Sequence, residues 1–167
     1  MIISYEDLEG LRKKYSNKKI VFCSGTFDLT HAGHIIFFED CKKFGNILVV
    51  AMGDDKLIKY YKGKNRPILN EHIRLKNVDS LRVVDYCLLD SPFETGESSL
   101  LVSLSTIFKK LKPNVYVVNE DAKDIEKRKE ISDRYNVELK ILKRWCPKEF
   151  EKISTSKIID KIIGQKA

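Results

Sequence analysis

The chain has 167 residues, 33% of them charged and 43% hydrophobic, with a formal net charge of +7 and only eight Gly and four Pro. That length fits one domain with a single core, and the scarcity of Gly and Pro excludes a long flexible linker. No apolar run approaches the length needed to cross a bilayer. The start, Met1-Ile2-Ile3-Ser4-Tyr5-Glu6-Asp7, lacks the basic-then-apolar order of a signal peptide, so a cytoplasmic protein with no membrane partner is expected.

Leu8, Leu11 and Tyr15 recur at helical spacing, predicting a helix over 5–15. Residues 20–24 form a short apolar run that reads as a buried strand. A polar loop follows, then a helix over 34–44 carrying Ile35, Ile36, Phe37, Phe38 and Cys41, with Gly45 as its expected C-cap. Residues 47–52 read as a second buried strand, and Gly53-Asp54-Asp55 as a turn that starts a helix. Asn70-Glu71-His72 begins another helix, and residues 85–89 form a third strand. A helix over 100–111, closed by Pro113, precedes a fourth strand over 115–118. A charged helix over 124–135 with one face to water and a fifth strand over 138–142 follow. The last helix, over 154–163, carries an apolar stripe of Ile158, Ile159, Ile162 and Ile163. This alternation predicts an α/β fold: one Rossmann-like domain over 1–167, with a parallel five-stranded sheet and helices on both faces. Ligands of such sheets bind beyond the carboxyl ends of the strands, where the strand order reverses.

The four cysteines, Cys23, Cys41, Cys87 and Cys146, are widely spaced with no CxxC pair, which argues against a disulfide framework or a zinc site. The first three lie in apolar stretches and read as small buried hydrophobes, whereas Cys146, beside Trp145 and Pro147, is expected at the surface. The positive charge is either a solvated Lys-rich face or an attraction for a phosphorylated small substrate. No nucleic-acid partner is expected, because neither an aromatic-plus-basic RNA motif nor a helix-turn-helix pattern is present.

The segment from Ser24 to His34 is the most informative. Two of the three histidines, His31 and His34, flank Gly33 at the start of a helix that follows a buried strand. Glycine lets a bound group approach the backbone, and a helix start offers free N–H groups and the positive end of a dipole. Two imidazoles three residues apart can face the same way there. The combination reads as a phosphate site with two movable protons. A metal site lacks further ligands at a usual spacing.

Gly25-Thr26-Phe27-Asp28 followed by His31-Ala32-Gly33-His34 resembles the signature of the cytidylyltransferase-like nucleotidyltransferase superfamily, and Ile153-Ser154-Thr155-Ser156-Lys157 resembles its second motif. Lys62-Gly63, Arg66-Pro67-Ile68, Arg74 and Val84-Asp85 fall between them in matching order, so the resemblance covers almost the whole chain. It implies an enzyme that moves a nucleoside monophosphate from an NTP, taken with Mg²⁺, to a phosphorylated small-molecule acceptor, releasing pyrophosphate. It further implies catalytic roles for His31, His34, Lys62 and Arg74, and nucleotide contacts from Gly25, Thr26, Phe27, Gly33, Ser154, Thr155 and Ser156. Asp28, Asn119, Glu120, Asp121, Arg144 and Trp145 are the candidate substrate-binding residues. Asp28 either orients a histidine or holds its loop; Trp145 either stacks on a ligand or covers the core edge. The residues that would hold the metal are not evident. A homodimer is also implied, with Arg82-Val83-Val84-Asp85 near its interface.

Within the superfamily the chain resembles the adenylyltransferase domain that activates heptose 1-phosphate, through the His31-Ala32-Gly33-His34 form and Lys62-Gly63-Lys64-Asn65-Arg66-Pro67-Ile68. Glycerol-3-phosphate cytidylyltransferases are similar around Arg82-Val83-Val84-Asp85 and the second motif, and archaeal FAD synthetases in outline. Two departures stand out: Val118-Asn119-Glu120-Asp121 replaces a glycine-rich segment, and the stretch over 143–150 is long. The resemblance to the adenylyltransferase domain favours AMP transfer over CMP transfer, and a non-catalytic nucleotide-binding module is the alternative of another class.

Overall fold

The computed structural model describes residues 1–91 and 100–164. Five apolar runs become strands: β1 (Ile20–Gly25), β2 (Ile47–Gly53), β3 (Tyr86–Asp90), β4 (Val115–Asn119) and β5 (Glu138–Leu142). They pair in the order β3-β2-β1-β4-β5, every pair parallel. Parallel strands need crossovers, and these are the helices α2 (Ala32–Lys42), α3 (Asp55–Lys62), α4 (Glu71–Asp79), α5 (Leu100–Leu111) and α6 (Ile125–Arg134), while α1 (Asp7–Lys14) precedes β1 and α7 (Thr155–Gly164) follows β5.

The period-two alternation of the strands divides the core in two. Ile20 and Phe22 of β1 join Leu8, Leu104, Phe108, Tyr116 and Ile131 on the face covered by α1, α5 and α6. Val21 and Cys23 join Phe38, Cys41, Val50, Leu75 and Val78 on the other. Because helices cover both faces, β1, β2 and β4 are buried nearly throughout, which is why they read as continuous apolar runs rather than alternating ones. β5 is one of the two edge strands, and its charged Glu138 and Lys140 suit that place.

Several helix ends follow from local chemistry. Asp54 caps α3 through Leu57 N at 2.7 Å, and Asn70 caps α4 through Ile73 N at 3.0 Å. One expectation is corrected. Gly45 is not a left-handed cap, since the C-cap of α2 is Lys43 in helical conformation. Gly45 is required instead by close approach: a Cβ there would lie 2.6 Å from the Lys19 carbonyl oxygen. No residue of α7 is buried, and Ile162 and Ile163 of its isoleucine stripe are exposed. Cys23, Cys41 and Cys87 are buried, while Cys146 is half-buried and donates to the Phe150 carbonyl.

The strand order reverses at β1. Its successor β2 lies on one side and β4 on the other, so a crevice opens beyond the carboxyl ends of β1 and β4, where the loop from Ser24 to His34 begins. Among the described residues, no helix is long and apolar enough to cross a membrane.

Candidate active site

Beyond β1 the backbone turns sharply. Phe27 and Leu29 both adopt φ 47°, a left-handed conformation that costs a non-glycine residue about 1–3 kcal/mol. Packing offsets that cost: the Phe27 ring is buried, with its centroid 4.7 Å from that of Phe38 and 6.5 Å from that of Phe37. Gly25 makes room for it, because a Cβ at Gly25 would stand 2.8 Å from the tip of the ring. The ring in turn presents its edge to His34, with centroids 5.4 Å apart and planes at 88°. A chain of contacts therefore runs from Gly25 through Phe27 to the imidazole.

The loop ends at His31, which is itself the N-cap of α2. Its Nδ1 accepts from the Gly33 amide at 3.2 Å, so the helix begins at Ala32, two residues earlier than the apolar pattern indicates. An Nδ1 that accepts leaves the ring proton on Nε2, available to donate to a ligand. The rings of His31 and His34 stack, with centroids 3.9 Å apart and planes at 22°. Gly33 fits beneath them, where a Cβ would sit 3.1 Å from the His31 ring. Burial, with the charges of His31, Arg144 and Lys62, pulls His34 down to about 3, so it is neutral near pH 7. Its Nδ1 is buried with no hydrogen-bond partner among the described residues. Burial and the Arg144 charge also lower His31.

His34 and Lys62 line one cleft of about 390 Å³, together with Ser24, Gly25, Thr26, Phe27, Gly33 and Thr155. Burial and the neighbouring Arg66 lower the Lys62 ammonium. Thr155 opens α7 and donates from Oγ1 to the Asp28 carbonyl oxygen at 2.8 Å, which ties the two motif segments together across 127 residues. The start of α7 thus faces the same cleft as the start of α2.

Three sequence expectations change here. Arg74 does not face the cleft: it is fully buried and donates to the carbonyls of Leu69, Thr26 and Gly53 and to the Asp55 carboxylate. Its guanidinium positions the loops after β1 and β2 and has no edge left for a phosphate. Asp28 does not bind substrate through its carboxylate, which accepts from Arg66 and from the amides of Ile68 at 2.9 Å and Leu69 at 3.0 Å. Burial alone would raise its pKa, but those donors outweigh it and lower it. Ser156 is exposed and lines neither cleft, being turned away on the outer side of α7. Ser154 serves as the cap of α7, accepting from the Lys157 amide at 3.3 Å.

A second cleft of about 380 Å³ adjoins the first and shares Gly33, Phe37, Asn119 and Arg144 with it. Glu120, Trp145 and Ser154 line only this one. Arg144 bridges the two, pairing with Asp121 at 2.9 Å while its amide donates to Glu120. Trp145 is 55% exposed and donates from Nε1 to Asp40 at 2.7 Å, which stands the indole beside α2. Asp90, Lys123 and Arg128, which no sequence motif singles out, also line the main cleft.

A metal held by the protein alone does not fit. Among the described residues no group of three or more His, Cys, Asp or Glu is placed to hold one. Asp28 and Asp121 already serve Arg66 and Arg144.

Comparison with known proteins identifies the family. The family model described as Cytidylyltransferase-like matches residues 22–161. The chain is 35% identical over 169 residues to the bifunctional protein HldE of Campylobacter jejuni, covering 99% of this chain and 32% of that protein. It is 35% identical over 156 residues to the bifunctional protein HldE of Helicobacter pylori, covering 93% and 30% respectively. The chain thus spans less than a third of the length of these relatives. Among solved structures, the lipopolysaccharide core biosynthesis protein of Thermoplasma volcanium is 28% identical with a TM-score of 0.59, covering 77% of this chain and 97% of that one. Pantoate-beta-alanine ligase of Francisella tularensis, at 16% identity and a TM-score of 0.64 over 98% of this chain and 78% of that one, shares the fold.

Proposed function

The chain belongs to the cytidylyltransferase-like family of nucleotidyltransferases, and from that premise we propose that it transfers AMP, or next CMP, from an NTP to the phosphate of a sugar or polyol phosphate, releasing pyrophosphate. One observation carries the proposal: the neutral His34, its ring stacked on that of His31 at the start of α2, shares a cleft with Lys62 and with the start of α7.

The chemistry asks little of a base, since the acceptor phosphate is already an anion. A phosphate oxygen of the acceptor attacks the α-phosphorus in line, the bond to the bridging oxygen breaks, and pyrophosphate departs with that electron pair. The obstacle is the gathering of negative charge, so positioning and fixed donors supply most of the rate. His31 and His34 donate to the triphosphate, Lys62 neutralises it, and Thr26 and Phe27 offer amides. The starts of α2 and α7 each contribute a dipole end worth about half a positive charge. Mg²⁺ bound to the triphosphate would lower its charge.

Two relationships of this chain support the acceptor class. The HldE proteins are similar over nearly its whole length, and the Thermoplasma neighbour is described as a lipopolysaccharide core biosynthesis protein. The test is pyrophosphate release with each NTP, Mg²⁺ and a panel of sugar and polyol phosphates. Release that depends on both substrates is expected; tight nucleotide binding with no release would instead mark a binding module.

A further inference from the structure

Two buried polar groups of the main cleft take no part in the chemistry just described. Asp90 ends β3 beside Gly53, lines the cleft and is 2% exposed. Its Oδ1 accepts from the Tyr5 hydroxyl at 2.6 Å and from the Ser103 hydroxyl. Among the described residues, Oδ2 receives no hydrogen bond and no cation pairs with the carboxyl. Burial pushes this carboxyl up, and the charge of Asp54 adds to the effect.

Arg128 is the counterpart on the other side. It lines the cleft at 7% exposure, with Nε donating to the Lys123 carbonyl at 2.8 Å and Nη1 to the Tyr116 hydroxyl. The Tyr116 hydroxyl shares a further bond of 3.3 Å with Ser24, near the end of β1. No carboxylate of the described residues pairs with Arg128. A buried acceptor and a buried cation, each with neutral partners only, cost stability unless a ligand completes them.

We propose that Asp90 and Arg128 select the acceptor: Asp90 accepts from hydroxyls remote from the acceptor phosphate, Arg128 donates to another, and the cleft takes a phosphorylated polyhydroxy compound of sugar size. The inference rests on the transfer activity proposed above. Hydroxyls both donate and accept, so one kind of group satisfies both residues. A cationic head group would suit Asp90 but meet Arg128 and Lys123, and a second anion would suit Arg128 but meet Asp90. Reach argues the same way. β3 stands two strands from β1, which is about 10 Å at the usual strand spacing. A three-carbon acceptor anchored near the histidines falls short of that.

Asp90→Asn keeps an oxygen for Tyr5 and Ser103 but turns the other atom into a donor. Arg128→Lys keeps the charge and loses the fork. Titration calorimetry of the protein loaded with a non-hydrolysable ATP analogue, using glucose 1-phosphate, a heptose 1-phosphate, glycerol 3-phosphate and phosphocholine, tests both. A sugar 1-phosphate should bind best, and each variant should weaken it roughly ten- to hundred-fold. Affinity for the nucleotide analogue should stay within about two-fold. The proposal is overturned if both variants bind the sugar phosphate as the wild type does, if glycerol 3-phosphate or phosphocholine binds best, or if nothing in the panel binds. Sugar-phosphate binding that responds to the variants without pyrophosphate release would sink the transfer activity and leave the acceptor site standing.

Discussion

Gly25→Ala tests whether Phe27 really supports His34. The new Cβ would lie 2.8 Å from the ring tip and 3.1 and 3.2 Å from the next two ring atoms, where ordinary contact begins at 3.4 Å. The ring has little room to retreat, being packed against Phe38, Phe37 and His34. Overpacking of this kind costs about 1–3 kcal/mol. The displaced ring carries His34 with it, and a shift approaching an ångström at a catalytic group lowers turnover roughly 10- to 100-fold. The assay is pyrophosphate release beside thermal unfolding. Adding Phe27→Leu relieves the overlap, so stability should recover while the rate stays low, because His34 still lacks its edge contact. Near wild-type kcat/KM in a folded Gly25→Ala protein would refute this chain of contacts.

Nucleotide binding should take up protons. His34 starts near 3, a triphosphate raises it, and affinity therefore strengthens as pH falls through the bound-state value; calorimetry at pH 6 in buffers of different ionisation heat measures it, and no buffer dependence would refute protonation of His34 on binding. The same residue shapes stability, since the unfolded chain takes up its proton first. Stability should fall by a few kcal/mol as pH drops from 6.5 towards 3, at about 1.4 kcal/mol for each pH unit crossed, and His34→Gln should flatten that slope. Asp28→Asn should destabilise the protein at pH 7 and lose this effect as pH falls through the lowered carboxyl value, because the native carboxylate then protonates too. Arg74→Met should unfold more easily by about 3–5 kcal/mol, as removal of a buried pairing partner does, with denaturant melts as the measure.

The sheet was legible because its strands are buried on both faces and so stand out as apolar runs between amphipathic helices. The loop with His31 and His34 was legible because paired histidines around a glycine at a strand-to-helix junction have few other uses. Residues whose role depends on distant partners were not. Nothing near Arg74 in the sequence tells that three carbonyls from separate loops converge on it. Arg128 sits among charged neighbours on a polar helix, so periodicity gave no sign that its side chain turns inward. Asp90 lies one residue past the expected strand end, and its partner Tyr5 is 85 residues away in the sequence.

The most direct measurement follows the α-phosphorus itself. An NTP labelled there is incubated with Mg²⁺, a sugar 1-phosphate and the protein, and the products are separated. The label should appear in a nucleoside diphosphate sugar, in step with unlabelled pyrophosphate, and His34→Ala should abolish its transfer while nucleotide still binds. Label that stays in the NTP with every sugar and polyol phosphate, or transfer that persists undiminished in His34→Ala, would contradict the account.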